Sequence, residues 1–288
     1  MDFEKAAIER LKTASEMSLQ YYEKPLMLRY SGGKDSDICL ELALRAGIPF
    51  EIGHSHTTAD APETVRYIRS KFAQLELRGI KCTIDIPRYK GQPTSMWRLI
   101  EYKKMPPTRR IRYCCEILKE TAGHNRAIVT GVRRAESNKR SGRGILETFP
   151  RDISKKIILN NDNDDRRKII EHCQIQGSTI CNPIVDWDNN AIRDFIQSEN
   201  LTLNPLYGCG YSRVGCIGCP MAGKQRYAQF ARYPSYKKMY IHAFARMIDR
   251  IRATNGKLTW KSAPEVYHWW MEDGVLPGQL TITKDWED

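Results

Sequence analysis

The 288-residue chain has no run of apolar residues long enough for a membrane helix, which excludes a helical membrane span. Its first residues, MDFEKAAIERLK, read as a charged amphipathic helix and lack the apolar core of a signal peptide, so a cytoplasmic protein is expected. There are no internal repeats, which excludes a solenoid or propeller, and nothing in the composition marks disorder. A Walker phosphate loop is missing too, because no glycine stands four residues before a Gly-Lys-Ser or Gly-Lys-Thr ending. Cysteine is absent after Cys219, so the segment running to Asp288 offers no thiol nucleophile.

What is present is enough chain to bury a sizeable core, with a main domain expected over 1–222 and a helical subdomain over 223–288. Nine cysteines in a cytoplasmic chain point to metal ligands, redox groups or small buried residues before disulfides. The formal charge is +12, and it is unevenly spread. Between Lys103 and Arg143 twelve Lys and Arg face only Glu116, Glu120 and Glu136. That density fits a solvated basic face or an anion-binding surface, and it keeps nucleic acid among the candidate partners.

Apolar runs and helical stripes alternate along the first half. Pro25–Leu28 reads as a buried strand, followed by a helix through Ile38, Leu40, Leu42 and Leu44 that stops at Gly47. Further strands are expected at 50–54, 81–86, 126–130 and 180–185, with a helix opening at Pro62 and another at about 2–20. This order implies an α/β fold with a parallel sheet, helices on both faces and ligands beyond the carboxyl ends of the strands. Residues 151–168 lack periodicity and read as a loop or short hairpin. One long helix is expected from about Gln225 to Thr254, then another over Ala263–Met271 capped by Gly274, with Trp260, Trp269 and Trp270 as core residues.

Three loops fall at strand ends on this reading: Ser31–Ser36, His54–Asp60 and Gly131–Arg134. In the first, Ser31-Gly32-Gly33-Lys34-Asp35-Ser36 joins a strand to a helix start. Two glycines let the backbone approach a ligand, the helix N–H groups point at an anion, Lys34 adds a point charge, and Ser31 and Ser36 add hydroxyls. The stretch builds a phosphate cradle. Farther on, Arg133 has the geometry for a bidentate phosphate contact, Glu136 for orienting it or for holding magnesium, and Arg140 for a second anionic group; a surface helix start with a salt bridge is the plain alternative.

Cys216-Ile217-Gly218-Cys219 is a C-x-x-C knuckle, which by itself suits a redox pair or half a zinc site. Cys114-Cys115 supplies two more thiols. Adjacent cysteines point in different directions, which hinders a mononuclear tetrahedral site and suits corners of an iron–sulfur cubane. Cys209, close before the knuckle, is an alternative for one member of the set. Cys39, Cys82, Cys173 and Cys181 lie in apolar patterns and are expected to be buried packing residues.

Ser31–Ser36 resembles the SGGxDS pyrophosphatase loop of the adenine nucleotide alpha-hydrolase superfamily. Pro62-Glu63-Thr64 resembles the end of its T-G-x-x-x-P-E-T segment, although Thr58 stands at the glycine position. Gly131–Arg140 resembles the family's G-x-R-x-x-E-S-x-x-R segment, and the Cys-Cys pair followed by C-x-x-C resembles a cluster-binding pattern. Together these motifs, over residues 25–225, resemble the phosphoadenosine phosphosulfate reductase family.

The resemblance implies an adenine nucleotide alpha-hydrolase-like sheet and an ATP site at Ser31, Gly32, Gly33, Lys34, Asp35, Ser36, Ser55, Thr57, Gly131, Arg133 and Arg140. Lys34, Asp35, Arg133 and Glu136 are the implied catalytic set, magnesium the implied ion, and Cys114, Cys115, Cys216 and Cys219 the implied ligands of a 4Fe-4S cluster. The activity expected is adenylation of an acceptor with sulfur transfer or removal, the acceptor being a nucleotide or nucleic acid and the sulfur donor unnamed. An adenylyl sulfate reductase drawing on an external thiol is the second expectation. A nucleotide-sensing regulator that binds nucleic acid, with a structural cluster, is the third.

Overall fold

The computed structural model describes residues 2–119, 125–150, 158–159 and 177–272. The chain forms two compact units, one of Met1–Ser55, Pro62–Asp85 and Thr121–Gly215, the other of His56–Ala61, Ile86–Glu120 and Cys216–Asp288. Set beside the single cut expected at residue 222, the units interleave along the chain. No helix among the described residues is long and apolar enough to cross a membrane.

The first unit is built on a seven-stranded sheet. Its strands are β1 (Leu26–Arg29), β2 (Phe50–Ser55), β3 (Cys82–Asp85), β6 (Ala127–Val129), β7 (Leu146–Pro150), β8 (Ile158–Leu159) and β9 (Gly177–Cys181), in the order β3-β2-β1-β6-β9-β7-β8. The first five in that order pair in parallel; β7 and β8 add an antiparallel edge, β8 falling in the stretch read as a loop or short hairpin. Leu26, Met27 and Leu28 are buried, as a strand covered on both faces requires.

Helix α1 (Phe3–Tyr22) turns Ala7, Leu11, Ala14 and Met17 inward, and Asp2 caps it by accepting from the Lys5 N–H at 3.0 Å. Helix α2 (Lys34–Ala46) packs on α1 and ends at Gly47, whose φ of 63° is the left-handed conformation of a helix terminator. Helix α3 (Pro62–Glu76) packs on β3, and α6 (Asn189–Ser198), capped by Asp188, packs on α2. The strand expected over 180–185 stops at Cys181, because Pro183 cannot donate to a sheet ladder. The expected loop or short hairpin over 151–168 lies outside the described residues except for β8, and Gly274 lies outside them altogether.

The second unit is helical. It contains the hairpin β4 (Arg88–Tyr89) to β5 (Gln92–Pro93), α4 (Met96–Lys103), α5 (Tyr113–Leu118), α7 (Gln225–Arg232), α8 (Pro234–Ala253) and α9 (Ala263–Met271). The long helix expected over 225–254 is two helices, broken at Tyr233. Pro234 has no N–H for a continuing ladder and is suited to a helix's first turn. Helix α8 packs against α4, α7 and α9. Between them Phe230, Tyr240, Phe244 and Trp270 form an aromatic core, with the Tyr240 and Trp270 rings 4.7 Å apart. Trp260 and Trp270 are buried and Trp269 half-buried, in line with a core role.

Candidate functional site: phosphate loop and cysteine centre

In the sheet unit, residues 31–36 leave the carboxyl end of β1 and start α2, so the cradle is where the strand pattern put it. Its shape is set from within. Ser36, 4% exposed, donates its hydroxyl to the Gly33 carbonyl at 2.7 Å and accepts from the Gly33 N–H at 3.2 Å. Gly32 takes φ +71°, and a Cβ there would lie 3.0 Å from Ile68 and 3.3 Å from Thr64, a conformation and a closeness that favour glycine. Two residues that the motif did not flag hold the loop from outside. Asn204 donates to the Gly32 carbonyl at 3.1 Å, and the Tyr207 hydroxyl accepts from the Lys34 N–H at 3.0 Å.

The segment after β6 reaches the same loop. A Cβ on Gly131 would lie 2.9 Å from the Asp35 backbone, so glycine is what allows the approach. Arg133, 3% exposed, donates from Nε to Asp35 at 2.7 Å and from its other nitrogens to the Trp187 carbonyl and Asn189. Its guanidinium is thus committed to bracing Asp35, where the sequence suggested a bidentate phosphate contact. Burial pushes the Asp35 carboxyl up from its ordinary value, against the pull of Arg133. Glu136 accepts from the Arg133 N–H at 3.1 Å and pairs with Arg140. Ser55, at the end of β2, accepts from Arg29, whose other nitrogen donates to Asp85 at 2.9 Å.

Beneath the cradle, Asp37 accepts from the hydroxyls of both Tyr30 and Tyr67, the latter at 3.0 Å. Its other carboxylate oxygen is buried without a hydrogen-bond partner. Burial pushes this carboxyl up to about 6, opposed by the two phenols.

All four expected cluster ligands belong to the helical unit. Cys114 and Cys115 open α5; Cys216 and Cys219 flank a turn in which Gly218 has φ +73°. Four thiols in one unit are the donor chemistry that an iron–sulfur cluster or a zinc ion takes. The surroundings favour the thiolate at Cys115 and oppose it at Cys114, whose thiol is pushed up by its hydrogen bond to Cys115 and by burial. The Cys115 thiol is pushed down to about 5 by its hydrogen bond from Cys114, with Arg112, 3.2 Å from the sulfur, and Lys119 adding to the effect. Burial pushes the Cys216 thiol up to about 11, with Lys119 opposing.

The segment His56–Ala61 is part of this unit and holds the knuckle in place. Asp60 bridges Cys216 in an antiparallel pair, Ile217 donates to the Ala59 carbonyl at 2.7 Å, and the Tyr236 hydroxyl donates to the Asp60 carbonyl at 2.8 Å. Thr57, expected at the adenosine, is 1% exposed with its hydroxyl 3.3 Å from the Cys216 sulfur. Thr58, at the position where the resembling segment has glycine, takes φ +63° and accepts from the Met96 N–H at 2.9 Å. Cys39 and Cys181 are buried, Cys82 is half-buried, Cys209 is exposed in the sheet unit, and Cys173 lies outside the described residues.

Residues 25–222 match the family model described as the phosphoadenosine phosphosulfate reductase domain. The chain is 26% identical over 262 residues to an uncharacterized protein of Methanocaldococcus jannaschii, covering 86% of this chain and 54% of that protein. It thus spans about half the length of that curated relative. A phosphoadenosine 5'-phosphosulfate reductase of Proteus mirabilis is 25% identical over 223 residues, 74% of this chain and 76% of that one. Among solved structures, a phosphoadenylyl-sulfate reductase of Candida auris in a phosphate complex aligns with a TM-score of 0.46 and 17% identity, covering 73% of this chain and 88% of that one.

Proposed function

Because the chain belongs to the phosphoadenosine phosphosulfate reductase domain family, we propose that it is an ATP pyrophosphatase that adenylates an acceptor and, with an iron–sulfur cluster, transfers or removes sulfur. An acceptor oxygen attacks the α-phosphorus of ATP, the bond to the β-phosphate oxygen breaks, and pyrophosphate leaves. The loop Ser31–Ser36 holds the phosphates, with Lys34 offsetting the charge that builds on the leaving group; a magnesium ion, when bound, would add to that offset. Arg133 holds Asp35 in place, and Gly131, Glu136 and Arg140 complete the wall of the cradle. Ser55 and Thr57 remain the proposed adenosine contacts of the family pattern.

Cys114, Cys115, Cys216 and Cys219 would hold the cluster. When bound, it supplies an iron site able to carry sulfide or to polarise a sulfur centre. The protein's part is to favour the Cys115 thiolate through Arg112 and Lys119. The observation that carries the reading is that a Cys-Cys pair and a C-x-x-C knuckle about a hundred residues apart in sequence belong to one compact unit, in the same chain as an SGGKDS loop.

The experiment is anaerobic purification with iron and sulfide quantitation, followed by an ATP-to-AMP assay, on the native protein and on the Cys216→Ala, Cys219→Ala double variant. About four irons per chain, lost in the double variant, with AMP and pyrophosphate formed by the native protein, are expected. Stoichiometric zinc, or no metal at all, would falsify the cluster. A second reading, a sulfonucleotide reductase using an external thiol, draws on the Proteus relative. It predicts sulfite release from an adenylyl sulfate without ATP.

A further inference from the structure

The basic charge of the chain is concentrated in the helical unit. Ile86–Lys119 carries nine Lys and Arg against Glu101 and Glu116, and Cys216–Glu272 carries ten against Asp249, Glu265 and Glu272. These two segments hold an excess of fourteen, more than the +12 of the whole chain. Charge alone fits any polyanion. What narrows the choice is a set of aromatic rings placed among the cations.

The hairpin from β4 to β5 turns through Lys90 and Gly91, both with positive φ (52° and 79°), a tight turn that exposes its tip. Tyr89 on that hairpin and Tyr102 on α4 lie with ring centroids 6.0 Å apart, and Tyr102 is 46% exposed. Lys90 lies 5.8 Å from the Tyr89 centroid and Lys103 lies 5.1 Å from it. The Arg250 guanidinium lies 4.5 Å from the Tyr102 centroid. Glu101, the nearest acid in sequence, is matched by two cations, Arg250 at 3.1 Å and Arg246 at 3.5 Å. Lys103 also lies 5.8 Å from the ring of Tyr113, the residue that precedes the paired cysteines. The patch therefore runs on to the helix that carries Cys114 and Cys115.

We propose that this hairpin and α4 form a platform for an unpaired nucleic-acid strand, with bases stacking on Tyr102 and Tyr89 and phosphates held by Lys90, Lys103 and Arg250. Stacking suits the two rings because every base has a π-face, while a duplex keeps its bases stacked on each other and offers no free base face. The proposal names the acceptor class for the sulfur chemistry above and rests on that reading for the reaction, though not for the binding.

The test is fluorescence anisotropy of labelled oligo(rU), oligo(dT) and a hairpin duplex with the full chain, without ATP, at rising salt. The strands are expected to bind at least about tenfold more tightly than the duplex, with log affinity falling linearly in log salt. Tyr102→Ala is expected to weaken strand binding about 5- to 100-fold and leave the duplex unchanged. Tyr102→Leu, which keeps apolar bulk, makes the same comparison if the alanine variant melts early. Lys90→Glu should weaken strand and duplex alike and flatten the salt slope. A preference for either oligo(rU) or oligo(dT) supports the platform and identifies the sugar it takes. Equal strand and duplex affinities with a silent Tyr102→Ala, or no binding at about 50 mM salt, would overturn it. Because the assay needs neither cluster nor turnover, its failure is distinct from failure of the ATP reaction.

Discussion

Gly218 sits between the cysteines of the knuckle, and its replacement by alanine has a cost that can be worked out. Its φ of +73° would place an L side chain in the left-handed region, at about 1–2 kcal/mol. The new Cβ would lie 2.6 Å from Phe230 Cζ, 3.0 Å from Tyr240 Cε2 and 3.1 Å from Trp270 Cη2. These rings are 4%, 1% and 2% exposed and packed on one another, so they have no solvent to swing into. Overpacking of that kind costs about 1–3 kcal/mol, and the stiffer unfolded chain returns about 0.4–1 kcal/mol. A net loss of about 2–4 kcal/mol is expected, a drop on the order of 10 °C in melting temperature.

The assay is thermal unfolding by circular dichroism of reduced, metal-free protein, so that cluster loading does not enter. Gly215→Ala is the matched control: it also adjoins Cys216, but its Cβ would meet nothing within 4 Å and its φ is not positive. It should melt within about 2 °C of the native protein. If Gly218→Ala melts with the native protein, or both variants fall together, the aromatic cage does not set the conformation of the knuckle.

The carboxyl group of Asp37 is raised to about 6 in the folded chain and lies near 3.9 when unfolded, so the folded state holds the extra proton between those values. Its stabilising contribution is complete below about pH 4 and disappears as pH rises through about 6, a span of up to about 3 kcal/mol. Asp37→Asn should therefore unfold at higher urea than the native protein at pH 7.5 and lose that slope; equal midpoints at pH 7.5 would refute the raised value. Thr58 balances left-handed strain against its bond from the Met96 N–H. Thr58→Gly should fall within about 1 kcal/mol of native stability, and Thr58→Ala, which keeps the strain and loses the acceptor, about 1–2 kcal/mol below the glycine variant. The reverse order in urea midpoints would show that the left-handed strain at this position is small.

Much of the sheet unit was legible because its signals are local. Apolar runs such as Leu26–Leu28 and helical stripes such as Ile38–Leu44 repeat at the period of the element they form, and glycines at 32, 33 and 47 mark where the backbone must turn. Of the antiparallel edge, the five-residue β7 was not read, and the two-residue β8, too short to show periodicity, lies in a stretch read only as a loop or short hairpin. The break at Tyr233 was written in Pro234, and the stripe through Phe230, Tyr236 and Tyr240 concealed it. Tyr207 and Asn204 were missed because they support the Ser31–Ser36 loop from about 170 residues away in sequence.

Sequence by itself determined the kinds of groups on offer: a glycine loop at a strand-to-helix junction, two pairs of cysteines, and a surplus of cations between Lys103 and Arg143. Those are matters of residue type and short spacing. Tertiary structure decided what each group touches. It placed Thr57 against Cys216, turned Arg133 from a free anion contact into the brace of Asp35, and brought Cys114 and Cys115 into one unit with Cys216 and Cys219. The physical reason is that such contacts join residues far apart in the chain. They depend on which apolar faces pack, and no local pattern specifies that.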